Sequence, residues 1–534
     1  MDRQNPCPRA FYLRARALRL LVMCSLVVPS SAIRARVWAA DDHPKYTGTI
    51  IIGLPGDQTQ IAGYEALAAA YNEHQPNVTI KVELSGGAFG GAGGYSTWLN
   101  TQLASGEPRP DIVSGNYSKT YAHFVSLDYY RHCTNPYTGN RWEEDLDFDF
   151  CVERNNMGQH TMAPTQAVHI QWFYNKDIFE RLGLAIPRTW REFVAVCGKI
   201  KAAGIVPTTL RFDYRYHQWL AEILWDQYSR PQFQYTRALP GDWCFNPEVD
   251  GAWEYDPQDP FNDVAPTRNK MRFYRAIRDG LIRFDTPEFA QCLENLKAIA
   301  QYGPPDFLIE QAGTGADAYS LFLRQEAAIH LDGTWLLPLI DEDMAELRDR
   351  PERRARKLKP FRWGFFDTPP QTNPLVVGAI RSIESASGEY VSIIHKNQPQ
   401  TDMVIDFVMF WLSAPGYQTF VDAQVAADEF RPAGKIMVRG VRIPERYKAL
   451  DEVDMIGNAE NSTNILFLLP PAGSRLSQDG RQALVEFIRD RIDVAEAARR
   501  IQAMAKASVE ANMERNNLPM TLLDRPELDP RQYQ

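Results

Sequence analysis

Two groups of residues in this sequence have types and spacing suited to chemistry: a run of acids and a large stock of aromatic rings. Glu143, Glu144, Asp145, Asp147 and Asp149 make a carboxylate cluster in a turn-rich segment. Cleaving a glycosidic bond needs two carboxyls held about 5–9.5 Å apart, and a run this dense reads instead as a solvent-facing charge cluster. Neither a Gly-x-Ser-x-Gly elbow nor a His-Glu-x-x-His helix is present, so the common hydrolase arrangements are missing. There is no Cys-x-x-Cys or close Cys/His set either, which argues against zinc. Neither catalysis nor a cofactor is expected. Binding remains. The 12 Trp, 23 Tyr and 26 Phe can fill a core or stack on the C–H face of a sugar, with Asp, Asn and Gln meeting its hydroxyls. Arg211, Arg215 and Arg381 keep an organic anion open as the ligand.

Such residues need a scaffold, and the composition limits which. With 534 residues, 44% hydrophobic and 23% charged, the chain is neither collagen-like nor largely disordered. A single core stops growing well below this length, so at least two lobes are expected. The formal charge of −9 disfavours a nucleic-acid partner, which would call for a basic excess.

The N-terminus carries Arg14, Arg16 and Arg19, an apolar run over 20–28, then Pro29-Ser30-Ser31-Ala32. This is signal-peptide anatomy over 1–40, with cleavage after Ala32 or after Ala39/Ala40. The apolar run is far short of the roughly 20 residues that span a bilayer. Cys24 follows Met23 inside that run, where lipidation would want a small residue, so a lipoprotein is not expected. The expected location is the periplasm. Export gives the remaining cysteines meaning. Cys133 and Cys151 bracket a polar segment and are expected to form a disulfide closing a stapled loop, worth about 3 kcal/mol. Cys244 and Cys292 can pair, leaving Cys197 in a helix, but connectivity stays open.

Along the chain, 47–53 reads as a buried strand, 60–74 as a helix with an apolar stripe, and 78–84 as an alternating strand. A glycine-dense loop over 86–94 matches no phosphate-binding spacing. A helix over 95–105 and a strand at 111–113 follow, giving the α/β pattern with a parallel sheet. A second set begins with a strand from Ala167, a helix capped by Asn175 or Asp177, and a helix started by Thr189 with Glu192 at the capping-box position. Residues 227–275 are rich in Pro, Asp and aromatics with weak periodicity and read as an insertion. Beyond lie helices over 286–301 and 318–324, strands from Ala327 and at 363–366, a linker between lobes at Pro369-Pro370, a helix over 401–412 and a helical tail over 482–512. The basic run 353–359 reads as a solvated helix end.

The order of several motifs resembles the extracellular solute-binding proteins of ABC importers, of the carbohydrate-binding family 1 type. Four segments carry the resemblance. They are Tyr71-Asn72-Glu73-His74-Gln75-Pro76-Asn77; Leu103-Ala104-Ser105-Gly106 with Pro110-Asp111-Ile112-Val113; Phe173-Tyr174-Asn175-Lys176-Asp177-Ile178-Phe179 with Gly183-Leu184, Pro187, Thr189-Trp190 and Glu192-Phe193; and Phe322 with Ala327-Ala328-Ile329 and Gly333-Thr334-Trp335. Together they span about 47–420. The resemblance implies a type II periplasmic-binding-protein-like fold, with two α/β lobes joined by hinge crossovers and closing on a ligand. The lobes are expected at 45–165 plus 376–425, and at 166–375 plus 426–534. It also implies no catalysis: a monomer captures a carbohydrate outside the membrane and hands it to permease subunits. Sensing a non-sugar solute such as an organic anion, or a secreted glycosidase, are the alternatives. The insertion, the Cys133/Cys151 segment and the glycine loop depart from the family's common core.

Ligands of α/β lobes sit beyond the C-terminal ends of strands. That rule selects Asp57, Gln58, Asn116, Tyr117, Tyr214 and Trp219. Trp335 follows Gly333 at a strand end, where the resembled family commonly supplies a stacking ring, with Asp332 beside it. Trp172 reads equally as ligand contact or core, Trp190 as core, and Tyr174 and Asn175 mainly as turn-forming residues. Asp57 and Asn116 also suit turns for local reasons, and Asp332 has the alternative role of capping or bracing its own loop.

Overall fold

A computed structural model describes residues 43–55, 60–85, 92–114, 123–146, 148, 159–210, 216–257, 259–264, 266–304, 315–349, 359–385, 390–459 and 475–533. They belong to one compact unit, Trp38–Gln534. Strands β1 (Gly48–Pro55), β2 (Val78–Ser85), β3 (Ile112–Ser114), β4 (Ala163–Pro164) and β10 (Tyr390–Ile393) form one sheet in the order β2-β1-β3-β10-β4. β1 is parallel to β2 and β3, while β10 is antiparallel to β3 and β4. The period of two in β1 turns Ile50, Ile52 and Leu54 into the core. On the helix Ile61–His74, Tyr64, Leu67 and Tyr71 make the buried stripe. That helix lies on the helix Ala414–Ala426. A Cβ on Gly63 would stand 2.7–2.8 Å from Gln424 and Phe420, so only glycine permits this approach.

The second sheet is built around a ten-residue strand, β5 (Gln166–Asn175), with β6 (Val206–Thr208), β7 (Ala327–Gly333), β8 (Trp363–Phe366), β9 (Glu384–Ser385) and β11 (Lys435–Ile436). Its main path is β11-β5-β7-β6, with β8 and β9 also paired to β5. All four neighbours of β5 are antiparallel to it, and β6 runs parallel to β7. Both sheets are thus mixed, and the expected parallel order holds only for β1–β3 and for β6 with β7. One core packs Trp172, Phe193, Trp225 and Phe289 under the helices of the second sheet. Another joins the first sheet to the helices Gln398–Trp411 and Leu336–Asp349.

Among the described residues the chain passes between the sheets three times: from β4 to β5 with only Thr165 between them, from β9 to β10, and from the helix Ala414–Ala426 to β11. Pro369-Pro370 is therefore not where the chain changes sheets. Trp190 N donates to Pro370 O and Trp172 Nε1 to Thr368 Oγ1, holding that segment on the second sheet.

Local signals are realised closely. Thr189 caps the helix Trp190–Ala202 by accepting from Glu192 N, and the Glu192 carboxylate takes Arg188 N rather than the cap's own amide. Asn175 caps the short helix before it, Lys176–Arg181, by accepting from Ile178 N. Long-range consequences differ more. Cys133 is a free thiol, against the expected bridge: it packs in the core with Trp142 and Phe148, and Sγ donates to Tyr129 O. Its partner Cys151 lies outside the described residues. Cys244 and Cys292 are likewise free and buried. The acidic run is not wholly solvated, because Asp145 is buried and accepts from Asn135, Thr138 and Asn140; Asp147 and Asp149 lie outside the described residues. So do the glycine loop over 86–91, the basic run up to 358 and the N-terminal segment through 42.

Candidate functional site

The end of β7 organises the site. A Cβ on Gly333 would stand 2.4–2.6 Å from the six-membered ring of Trp335, so the indole folds back onto a strand end that has no side chain to obstruct it. This explains the two-residue spacing of glycine and tryptophan. Trp335 is partly buried and packs against both hydrophobic cores. Trp219, on the helix Tyr216–Ser229, lies against it with ring centroids 5.8 Å apart at 56°. Two sequence candidates thus meet as a half-buried aromatic pair.

Asp332 is close by in sequence but turned to its own strand. It is 6% exposed, accepts from Gly333 N at 2.8 Å, and contacts His330 Nε2, whose other ring nitrogen pairs with Thr209 Oγ1. Trp172 stands in the core, 0% exposed, with its ring 4.8 Å from Phe193. Asp57, Gln58, Asn116, Tyr117 and Tyr214, like Arg211 and Arg215, lie outside the described residues. Tyr174 sits at the far end of β5, where it helps line a separate groove of about 830 Å³ with Lys176, Asp341 and Trp363.

A polar row that sequence reasoning missed crosses the sheet near this end. In register, Gln171 of β5 faces Asp332 of β7, and its Nε2 donates to Asp367 Oδ1 just past β8. Two residues earlier, His169 is enclosed between two carboxylates, with Nε2 2.7 Å from Asp367 Oδ1 and Nδ1 3.2 Å from Glu384 Oε1. Glu384 pairs with His169 across β9 and accepts from the amides of Ile456 and Gly457. Thr334 joins this row to the ring pair. Its amide donates to His169 O, its Oγ1 accepts from His169 N, and the same hydroxyl donates to Ala433 O just before β11. The residue next to Trp335 is therefore tied to two of the three crossings. The signal for the row was present, since His169 and Gln171 are two polar residues at i, i+2 inside a strand whose interior is otherwise Ala, Val, Ile and aromatic.

Burial by itself would depress the His169 pKa, but hydrogen bonds and charge from Asp367 and Glu384 outweigh it and raise it to about 9. Burial pushes Glu384 up from the usual carboxylate range against the pull of His169. A histidine whose pKa is raised on folding stabilises fully below its unfolded value of 6.5. That stability is lost as pH climbs through about 9. Unfolding titrations are expected to show a decline over this window, worth at most about 3 kcal/mol, that His169→Gln flattens. An equally steep decline in that variant would assign the effect to other groups.

Among the described residues, no cluster of three or more His, Cys, Asp or Glu could hold a metal ion, and no helix is long and apolar enough to cross a membrane. Residues 55–259 match the family of bacterial extracellular solute-binding proteins. No curated protein matches the sequence. Among solved structures, the chain is similar to a family 1 extracellular solute-binding protein from Bifidobacterium longum subsp. infantis, at 14% identity over 86% of this chain and 99% of that one, with a TM-score of 0.53. It is similar to the apo form of RafE from Streptococcus pneumoniae at 15% identity, over 87% and 99% of the two chains, with a TM-score of 0.52. A cyclic alpha-maltosyl-1,6-maltose binding protein from Arthrobacter globiformis gives 15% identity, 87% and 100% coverage and a TM-score of 0.51. At these identities the structural likeness is one of fold. The matched segment thus resembles the bacterial extracellular solute-binding family, and the chain has the periplasmic-binding-protein-like α/β fold of these structures.

Proposed function

We propose that the protein is the capture component of an ABC importer, enclosing a sugar or oligosaccharide between two lobes and delivering it to membrane permease subunits. The observation that carries the reading is the Trp335–Trp219 pair at the end of β7, a half-buried aromatic surface of the kind that meets a pyranose face. The lobes proposed are 45–165 with 376–425, and 166–375 with 426–534; the crossings from β4 to β5 and into β11 support two of these boundaries, whereas β9 (Glu384–Ser385) pairs in the second sheet and moves the return to the first lobe to between β9 and β10. Segment 1–40 is proposed as an export signal placing a monomer in the periplasm. Two structural neighbours with sugar ligands in their names support the ligand class: the cyclic maltosyl-maltose binder and AcbH, described as having an exclusive preference for β-D-galactopyranose.

One observation weighs against the organic-anion alternative. Arg381 is wholly buried and its guanidinium is saturated by Asp226, Asp263 and Pro260 O, leaving it nothing to offer an anion. The test is a thermal-shift panel of mono- and oligosaccharides, amino acids and organic anions, read with tryptophan fluorescence. A sugar at 100 times its Kd is expected to stabilise by about 2.7 kcal/mol. Stabilisation by an anion or amino acid, with every sugar silent, would overturn the assignment.

A further inference from the structure

We propose that Asp367 is a ligand contact, its Oδ2 accepting a hydroxyl hydrogen bond from the bound solute, and that His169 is the residue positioning it. The inference rests on the sugar-binding reading above and goes further by naming a recognition group absent from the strand-end candidates. Four members of the polar row are closed to solvent: His169 and Glu384 are 0% exposed, Gln171 2% and Asp332 6%. The Asp367 side chain alone reaches out, at 36% exposure. Both neighbouring side-chain donors, His169 Nε2 and Gln171 Nε2, go to Oδ1. Oδ2 is left for a partner from outside.

The arrangement is one of orientation. His169 cannot turn, because its other nitrogen is held by Glu384, which is itself pinned by two backbone amides of the 456–457 segment. A carboxylate needed only as a counter-charge would be served as well by enclosure, as Glu384 is. The position also fits the ring pair. Asp367 and Trp335 lie at the same end of the second sheet, on strands that flank β5, and Thr334 binds the His169 backbone from the residue before Trp335. The charge selects the ligand. Asp367 presents a hydrogen-bond acceptor and no donor to solvent, so a neutral polyol donating hydroxyls is favoured over an anionic solute.

The experiment compares wild type, Asp367→Asn and Asp367→Glu by calorimetric titration. The probes are D-galactose, maltose, maltotriose and monodeoxy analogues of whichever binds, with citrate and glutamate as charged controls. A hydrogen bond to an ionised acceptor is a strong one, so Asp367→Asn is expected to weaken the binding sugar about 10-fold. One deoxy analogue should bind wild type and variant alike, identifying the hydroxyl contacted, and Asp367→Glu should restore part of the loss. His169→Gln should weaken the same sugar and spare the same analogue. Unchanged affinity in Asp367→Asn would overturn the contact while leaving sugar binding intact. An equal loss for every analogue together with a lower melting temperature of the unliganded protein would also overturn it, as the mark of a structural role. Citrate or glutamate binding wild type while all sugars fail would overturn both this inference and the reading beneath it.

Discussion

Trp335→Ala should weaken sugar binding by about 30-fold or more, the loss expected when an aromatic anchor worth at least about 2 kcal/mol is removed. The ring is the best placed in the chain for such an anchor. It rests on Gly333, which a Cβ would drive to within 2.4 Å of it, and it is flanked by Trp219 rather than enclosed. Two companion variants separate ring chemistry from packing. Trp335→Phe keeps an aromatic face and should lose only a few-fold. Gly333→Ala keeps the indole but displaces it, and should approach the alanine variant in affinity. Fluorescence titration reads all three, with unliganded melting curves beside them. Wild-type affinity in Trp335→Ala, accompanied by a large fall in melting temperature, would make Trp335 a wedge between the two cores and no ligand contact.

What the sequence disclosed about this site follows the range of the forces involved. Trp335 and Trp219 were found because strand ends are local events, marked by a glycine or by the start of a helical stripe. The same holds for the Thr189 cap and for β8, which lies where the run Trp363-Gly364-Phe365-Phe366 puts it. The His169–Glu384 pair joins residues far apart in the chain, and nothing near either one announces the other. Only the polar break at His169 and Gln171 in an apolar strand interior hinted that something had to satisfy them. Pro369-Pro370 misled for the converse reason. Two prolines mark the end of regular structure, but whether the chain then changes lobes depends on remote partners, here Trp190 and Trp172. Asp145 belongs with these cases: a carboxylate in an acidic run is buried because Asn135, Thr138 and Asn140 converge on it.

Arg381 is where such remote pairing should have its largest effect on stability, and Arg381→Met is expected to cost about 3–5 kcal/mol. Its Nε donates to Asp226 Oδ2 at 2.9 Å, its Nη1 to Asp263 Oδ1 at 2.6 Å and to Pro260 O at 2.9 Å, and both arginine and Asp226 are 0% exposed. Burial would raise the Asp226 pKa, but Arg381 and Arg230 hold it below the usual carboxylate value. Methionine leaves those carboxylates in a dry site with Arg230 alone against them, and the cost is that of uncompensated charge more than of lost attraction. Three elements share the damage: the helix Tyr216–Ser229, the insertion through Pro260 and Asp263, and the segment leading into β9. The insertion is thereby bolted to the segment entering β9 rather than hung on the surface. Urea unfolding should show the loss at pH 7 and a smaller one near pH 4, where the freed carboxylates can take protons. Adding Asp226→Asn and Asp263→Asn should recover much of it, since removing all the charges is far milder than removing one partner. A single-variant cost below about 1 kcal/mol, or no recovery on neutralising the acids, would show that the cluster is hydrated and the insertion free of the segment entering β9.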